Sequence, residues 1–361
     1  MKAVVLVGGE GTRLRPLTLT VPKQMLPIAE VPMIERVLTH LAAHGVTHAV
    51  LSLGYRPAPF IELFPNDRFG DMALQYAVEP EPLDTAGAIH FAATEAGIGE
   101  TFLALNGDNL TDLDITALVA FHREQGAEGT IHLARVEDPS AFGLVSTDDH
   151  GRVEAFVEKG PRNNSVPPHI NAGTYVLEPS VLDRIPAGQR VSIEREVFPA
   201  MAGDGRLYGR VSGEYWTDTG TPALYLQAQL DFLDGLRPPP PAPGAHLRPG
   251  AVWVLGEPVI DGLVMGPALV GTAAFVHGDA RVEHSVIGAG ARVAAGATVC
   301  DSVLLPGASV HARAVVNGSI VGENAVIGTD ARLAAICVIG ANVEVEAGRT
   351  LEDERVPAGA R

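Results

Sequence analysis

Four segments, far apart in the chain, carry side chains suited to handling phosphate and sugar. The first is Gly8-Gly9-Glu10-Gly11-Thr12-Arg13-Leu14-Arg15-Pro16-Leu17-Thr18, followed by Pro22-Lys23-Gln24-Met25-Leu26-Pro27. Glycines in a turn let backbone N–H groups approach phosphate oxygens without a Cβ in the way. Arg13, Arg15 and Lys23 add positive charge, and a guanidinium can meet two phosphate oxygens at once. No Gly-Lys-Ser/Thr follows, so the turn is not a Walker A loop. The second and third segments, Leu105-Asn106-Gly107-Asp108-Asn109 and Tyr215-Trp216-Thr217-Asp218-Thr219-Gly220-Thr221-Pro222, each offer an aspartate. Asp108 and Asp218 brought together could hold Mg²⁺, which takes oxygen ligands and shares them with phosphates; taken singly, each is equally an ordinary turn residue. The fourth, Phe156-Val157-Glu158-Lys159-Gly160, offers a lysine for a sugar phosphate and a carboxylate for sugar hydroxyls. On pattern alone it reads as a surface ion pair.

Such groups need a frame. Ala3–Val7 is a continuous apolar run, as in a central parallel strand. Met33–His44 has helical apolar spacing and ends at Gly45; Ala49–Leu53 reads as a strand, Thr85–Ala96 as a helix, Phe102–Leu105 as a buried strand and Ile115–Glu124 as a helix. This βαβ rhythm predicts a Rossmann-like α/β domain, a mostly parallel sheet with helices on both faces. The glycine-rich turn and Asp108 then fall at the carboxyl ends of strands, where such sheets bind ligands. From Thr130 to Leu177 short β-strands replace the alternation. Asp84 or Thr85 is placed to cap the helix that follows.

A proline-rich stretch, Arg237 to Gly244, changes the texture of the chain. We read residues 1–235 as the first domain, 236–250 as a stiff linker and 251–361 as the second domain. Beyond the linker, aliphatic residues recur from Val264 through Val270, Val276, Val282, Ile287, Val293, Val299, Leu305 and Val310 to Val345, in steps of six or five. A period of six fits neither a helix nor a lone strand. It is the hexapeptide signature of a left-handed parallel β-helix, in which each short strand sends one aliphatic side chain inward.

Composition narrows the functions open to the chain. A net charge of −17 over 361 residues disfavours nucleic acid and anionic membranes as partners. Two cysteines, Cys300 and Cys337, form no metal or redox spacing and fit a reducing compartment. The apolar run at the N-terminus is too short for a secretory h-region or a bilayer span, so the cytoplasm is the expected location. No Ser-His-Asp or Cys-His set is evident.

In their order, the first segment and the Asp108, Glu158-Lys159 and Asp218 segments resemble the signature of the nucleoside-diphosphate-sugar pyrophosphorylases. Ser192-Ile193-Glu194-Arg195-Glu196-Val197-Phe198-Pro199 is most similar to the mannose-1-phosphate guanylyltransferase members. The resemblance implies transfer of a nucleotide from an NTP, foremost GTP, to a hexose 1-phosphate, foremost mannose 1-phosphate. It implies catalytic roles for Arg13, Lys23 and Lys159, with Mg²⁺ on Asp108 and Asp218. Leu6, Gly8, Gly9, Gly11, Thr12, Arg13, Lys23, Thr85 and Gly87 are expected at the nucleotide, and Gly107, Gly143, Glu158, Lys159 and Asn171 at the sugar. The sequence departs from the family pattern at Gln24, at Gly160 and at Asp84, where the family commonly has glycine. Transfer to glucose 1-phosphate from dTTP or UTP is the nearest alternative. A sugar-phosphate acetyltransferase using His277, His284 or His311, and a non-catalytic nucleotide-sugar sensor, are the others. The repetitive flank of the solenoid suits packing against another copy, which predicts a homo-oligomer.

Overall fold

The computed structural model describes residues 1–54, 56–136, 139, 142–158 (the backbone only at 157 and 158) and 169–357. It divides into two compact units: residues 1–9 with 34–216, and residues 10–33 with 217–361.

The first unit is built on a ten-stranded sheet. The strand Lys2–Leu6 pairs in parallel with His48–Leu53 on one side and Phe102–Asn106 on the other, and His48–Leu53 pairs in parallel with Met72–Val78. The chain moves outward on one side and then returns to the other. The turns after Leu6 and Asn106 therefore flank a reversal of strand order, the crevice where open α/β sheets bind ligands. Beyond Phe102–Asn106 the sheet turns antiparallel through His169–Leu177, Gly143–Thr147 and Val153–Glu158, while Gly129–Arg135 pairs with His169–Leu177 and in parallel with Leu207–Val211. This is the β subregion expected from the rise in β-branched residues. The helices Asp84–Glu95 and Ile115–Gln125 lie within two residues of their expected bounds. Met33–Ala43 ends where Gly45 takes φ 76°, the left-handed conformation that closes a helix. The core of the unit gathers Ile89, Phe102, Tyr175 and Phe198, all fully buried. Each such side chain contributes about 1.5–3 kcal/mol of burial.

The second unit is a parallel β-helix whose coils feed three sheets. The backbone N–H of buried Ser302 donates to Ser285 Oγ, and Ser319 N–H donates to Ser302 Oγ, each pair 17 residues apart. Seventeen residues make a coil of two steps of six and one of five, which accounts for the mixed period in the sequence. Val270, Val276, Val282, Ile287, Val293 and Val299 line the interior, as expected. One position differs. Leu304, not Leu305, fills the column, pairing in register with Ile287 and Val321. The five-residue step falls between Val299 and Leu304, so Leu305 is pushed to the corner, where it is still buried.

The proline-rich segment lies between the helix Pro222–Leu233 and the strand His246–Arg248 and forms neither helix nor strand. Residues 10–33 belong with the solenoid unit. Buried Tyr225 and Gln229 of the Pro222–Leu233 helix donate to Pro27 O at 2.5 and 2.7 Å, and Ala29 N–H donates to Gln229 Oε1 at 2.6 Å. Glu30 Oε2 accepts from Ala289 N–H at 2.8 Å. A Cβ on Gly271 would lie 2.6 Å from the same oxygen, and one on Gly340 would lie 3.1 Å from Pro16 Cβ. The segment thus runs along one corner of successive coils.

Candidate active site

In the sheet unit, Gly8 follows the first strand and sits against a neighbouring turn. A Cβ on it would be 3.0 Å from Gly54 N and 3.5 Å from Glu79 Oε1, whereas one on Gly9 would meet nothing. Leu6 is half-buried at the end of the strand. Glu79, just past the strand Met72–Val78, accepts from Ser52 Oγ at 3.1 Å through Oε1 and from Leu83 N–H at 3.0 Å through Oε2. It places a carboxylate beside the glycine turn.

Gly107 donates its N–H to Leu6 O at 2.9 Å, and an added Cβ would strike Val7 Cγ1 at 2.6 Å. Only a glycine lets the turn hug the first strand this closely, and that fixes where Asp108 begins. Next to it a second turn gathers carboxamides. Gly173 takes φ 71° and leaves room for Asn106 and Asn109, whose Nδ2 atoms would lie 2.6 and 2.4 Å from a Cβ there. Asn109 Nδ2 and Trp216 Nε1 both donate to Ala172 O, at 2.9 and 2.8 Å. Asn171 Nδ2 donates to Tyr175 OH at 2.9 Å, and its Oδ1 accepts from Gly173 N–H at 3.0 Å. Gly143 lies on the adjoining strand, where a Cβ would be 3.3 Å from the Phe156 ring. The turn at Gly173 brings Asn106 and Asn109 close to Asn171, carboxamides that can both donate to and accept from hydroxyls. Sequence reading assigned a role only to Asn171; the neighbouring asparagines, half-buried Asn106 and buried Asn109, are legible only once the register shift around Gly173 is seen.

Thr85 and Gly87 open the helix Asp84–Glu95, and the structure gives them packing tasks. The assigned cap position is Leu83, which makes no side-chain cap bond, but Asp84 Oδ1 accepts from Thr85 N–H at 2.8 Å at the first turn. Thr85 Oγ1 donates to Glu194 Oε2 at 2.7 Å and accepts from Ile193 N–H at 2.9 Å, so its hydroxyl is taken up by a distant segment. A Cβ on Gly87 would sit 2.5 Å from Gln189 O. Asp84 takes φ 61°. That is the left-handed region glycine enters freely and aspartate tolerates, which explains how Asp84 can replace the family glycine. Its carboxylate pairs with Arg195 at 2.6 Å and with Arg190 at 3.8 Å.

In the solenoid unit, Gly11 at φ 60° begins a short turn over Thr12–Leu14. A Cβ on Gly11 would be 3.1 Å from Lys23 Cβ, and Thr18 Oγ1 donates to Gly11 O at 2.8 Å. Thr12 and Arg13 are exposed, and Leu14 is buried beneath them. Arg13 Nη2 lies 3.7 Å from Asp218 Oδ2, while Asp218 Oδ1 accepts from Gly220 N–H at 2.8 Å. A Cβ on Gly220 would meet Arg13 Nη2 at 2.5 Å, so this glycine makes room for the guanidinium. Arg13 and Asp218 are therefore neighbours despite their separation in sequence. Lys159 lies outside the described residues, as does the side chain of Glu158.

Among the described residues no three His, Cys, Asp or Glu side chains gather as a protein-only metal cage. Single carboxylates that leave coordination places to phosphate and water are the donor set Mg²⁺ takes, and Asp108 and Asp218 supply hard oxygens of that kind. Two of the three histidines weighed for acyl transfer, His277 and His284, are engaged with nearby polar groups. His284 pairs with Asp301 at 2.6 Å and Asp234 at 3.1 Å, and His277 Nδ1 accepts from Asp279 N–H at 3.2 Å. Among the described residues no helix is long and apolar enough to cross a membrane.

Comparison with known proteins bears on this geometry. A family model described as nucleotidyl transferase matches residues 2–235. The chain belongs to the nucleotidyl transferase family. A second model, the GMPPB C-terminal domain, matches residues 264–358, the β-helix of this nucleotidyl transferase. It is 42% identical over 295 residues to the mannose-1-phosphate guanylyltransferase of Mycobacterium tuberculosis, covering 78% of this chain and 81% of that one. It is 41% identical over 265 residues to the mannose-1-phosphate guanyltransferase of Schizosaccharomyces pombe, covering 72% and 71%. Among solved structures, HddC from Yersinia pseudotuberculosis is 29% identical, with a TM-score of 0.56, across 64% of this chain and 99% of that one. HddC has also been solved complexed with GMP-PN.

Proposed function

We propose that this enzyme transfers GMP from GTP to mannose 1-phosphate, giving GDP-mannose and pyrophosphate. The observation that carries the reading is the match to the Mycobacterium tuberculosis guanylyltransferase, 42% identical across 78% of this chain. A phosphate oxygen of the sugar phosphate attacks the α-phosphorus, and the bond to the β-phosphate's bridging oxygen breaks. The nucleophile needs no general base, because the second pKa of a phosphomonoester is near 6 and it is mostly dianionic at neutral pH. The difficulty is mutual repulsion, so catalysis is positioning and charge neutralisation.

Gly8, Gly9, Gly11 and Thr12 present backbone N–H groups to the triphosphate. Arg13 and Lys23 stabilise the departing pyrophosphate, and Lys159 holds the attacking phosphate. Asn171, Glu158, Gly107 and Gly143 face the hexose. Asp108 and Asp218 would hold Mg²⁺, which supplies neutralisation of the reacting phosphates when bound. The proximity of Arg13 to Asp218 supports a shared role for that pair.

Pyrophosphate release from purified protein, with GTP, dTTP or UTP against mannose 1-phosphate or glucose 1-phosphate, tests the proposal. GTP with mannose 1-phosphate gives the highest kcat/KM. Faster release from dTTP or UTP with glucose 1-phosphate overturns it. Asp108→Asn and Asp218→Asn each lower kcat by about a hundred- to a thousandfold, as removal of one preorganised electrostatic partner does elsewhere.

A further inference from the structure

The turn that carries Arg13 has an anchor at the far end of the sequence. Arg355, in the strand Arg355–Val356 of the last described coil, donates Nη1 N–H groups to Arg13 O at 3.0 Å and to Arg15 O at 3.1 Å. The two carbonyls flank buried Leu14. The same turn is closed from within by Leu14 N–H to Gly11 O at 3.0 Å and Arg15 N–H to Thr12 O at 3.2 Å. A terminal guanidinium nitrogen carries two hydrogens, so one nitrogen serves both oxygens, and each bond is strengthened by the donor's charge. Arg13, Arg15 and Arg355 line one open concavity with Thr12, Thr221 and Asp353. Glu10 holds the Arg15 guanidinium at 2.9 Å. The side chains of the turn are thus tethered to acids, while its backbone is tethered to Arg355.

We propose that Arg355 is a positioning residue for nucleotide binding: it holds the Thr12–Leu14 turn in the conformation that presents Arg13 to the triphosphate. The last coil of the solenoid is then part of the nucleotide-binding apparatus. The inference rests on the nucleotidyl-transfer reading of Arg13. A turn of three residues is marginal by itself. Without the anchor, ordering it falls to the nucleotide, which binds more weakly as a result.

Arg355→Met and Arg355→Lys in the full chain test this. In the methionine variant KM for the NTP rises about tenfold, the value of one or two charge-assisted bonds, while KM for the sugar 1-phosphate stays at its wild-type value. Lysine, which can still donate to both carbonyls, restores most of the loss. Hydrogen exchange followed by NMR gives a readout independent of turnover. The amides of Leu14 and Arg15 exchange faster in Arg355→Met, while those of Val338 and Gly340, bonded to Glu354 O and Val356 O, stay protected. An unchanged KM for the NTP overturns the proposal, as does a rise in both KM values with loss of protection at Val338 and Gly340. If wild-type protein releases no pyrophosphate from any NTP yet the Leu14 and Arg15 amides loosen selectively, the functional reading has failed and the anchor stands.

Discussion

Replacing Glu30 by glutamine should stabilise the solenoid unit at neutral pH. Burial raises the Glu30 carboxyl from 4.5 to about 7, against a smaller opposing effect of the Ala289 N–H bond. The folded chain therefore keeps this proton where the unfolded chain has lost it. Stability is greatest below pH 4.5, falls as pH rises toward about 7, and is level above that. One proton corresponds to about 1.4 kcal/mol per pH unit, so the full shift costs about 3 kcal/mol by pH 8. Glutamine keeps an oxygen for Ala289 N–H and cannot ionise. Urea unfolding between pH 5.5 and 8.5 reads the difference. Trp253, in the strand Val252–Val254, reports the solenoid once Trp216 is replaced by phenylalanine. Glu30→Gln gains stability over wild type up to about pH 7, where the gain levels off. Parallel pH curves for the two proteins would refute the argument that this carboxylate is desolvated.

Two further predictions concern the sheet unit. His132 is fully buried, its Nε2 is 2.8 Å from Ser212 Oγ, and burial lowers its pKa to about 4. The stability it confers is complete above pH 6.5 and is lost as pH falls toward about 4, so His132→Gln flattens the acid limb of a pH–unfolding curve. Gly87→Ala drives a Cβ to 2.5 Å from Gln189 O and 2.9 Å from Leu83 Cβ, and should cost about 1–3 kcal/mol of overpacking strain; a wild-type transition by scanning calorimetry would show that the contact gives way freely.

The period of six was visible because every inward position of a coil must be aliphatic, whatever the turns between. The slip at Leu304 was not visible: two adjacent leucines leave the register ambiguous, and only pairing with Ile287 and Val321 decides it. Strands such as Lys2–Leu6 were legible as apolar runs, since both faces are covered. Thr85 was legible as a helix-start residue, but not its use by Glu194, because a partner 109 residues away leaves no local pattern. The same holds for Arg355. Its local sequence resembles any exposed arginine in a hexapeptide turn, and its contacts reach back 340 and 342 residues. Arg13 and Asp218, by contrast, were each singled out as candidates by residue type and assigned roles by the family resemblance, although only the fold shows that they meet.

The same long reach bears on how the protein is made. A ribosome adds about 5–20 residues each second, so the turn at Arg13 emerges on the order of twenty seconds to a minute before the arginine that anchors it. The sheet strands between can pair in the meantime, but the turn at Arg13 gains its Arg355 bonds only with the final coil. A nascent chain interrupted before that coil would carry every signature residue of the first 235 and still lack the Arg355 bonds to Arg13 O and Arg15 O.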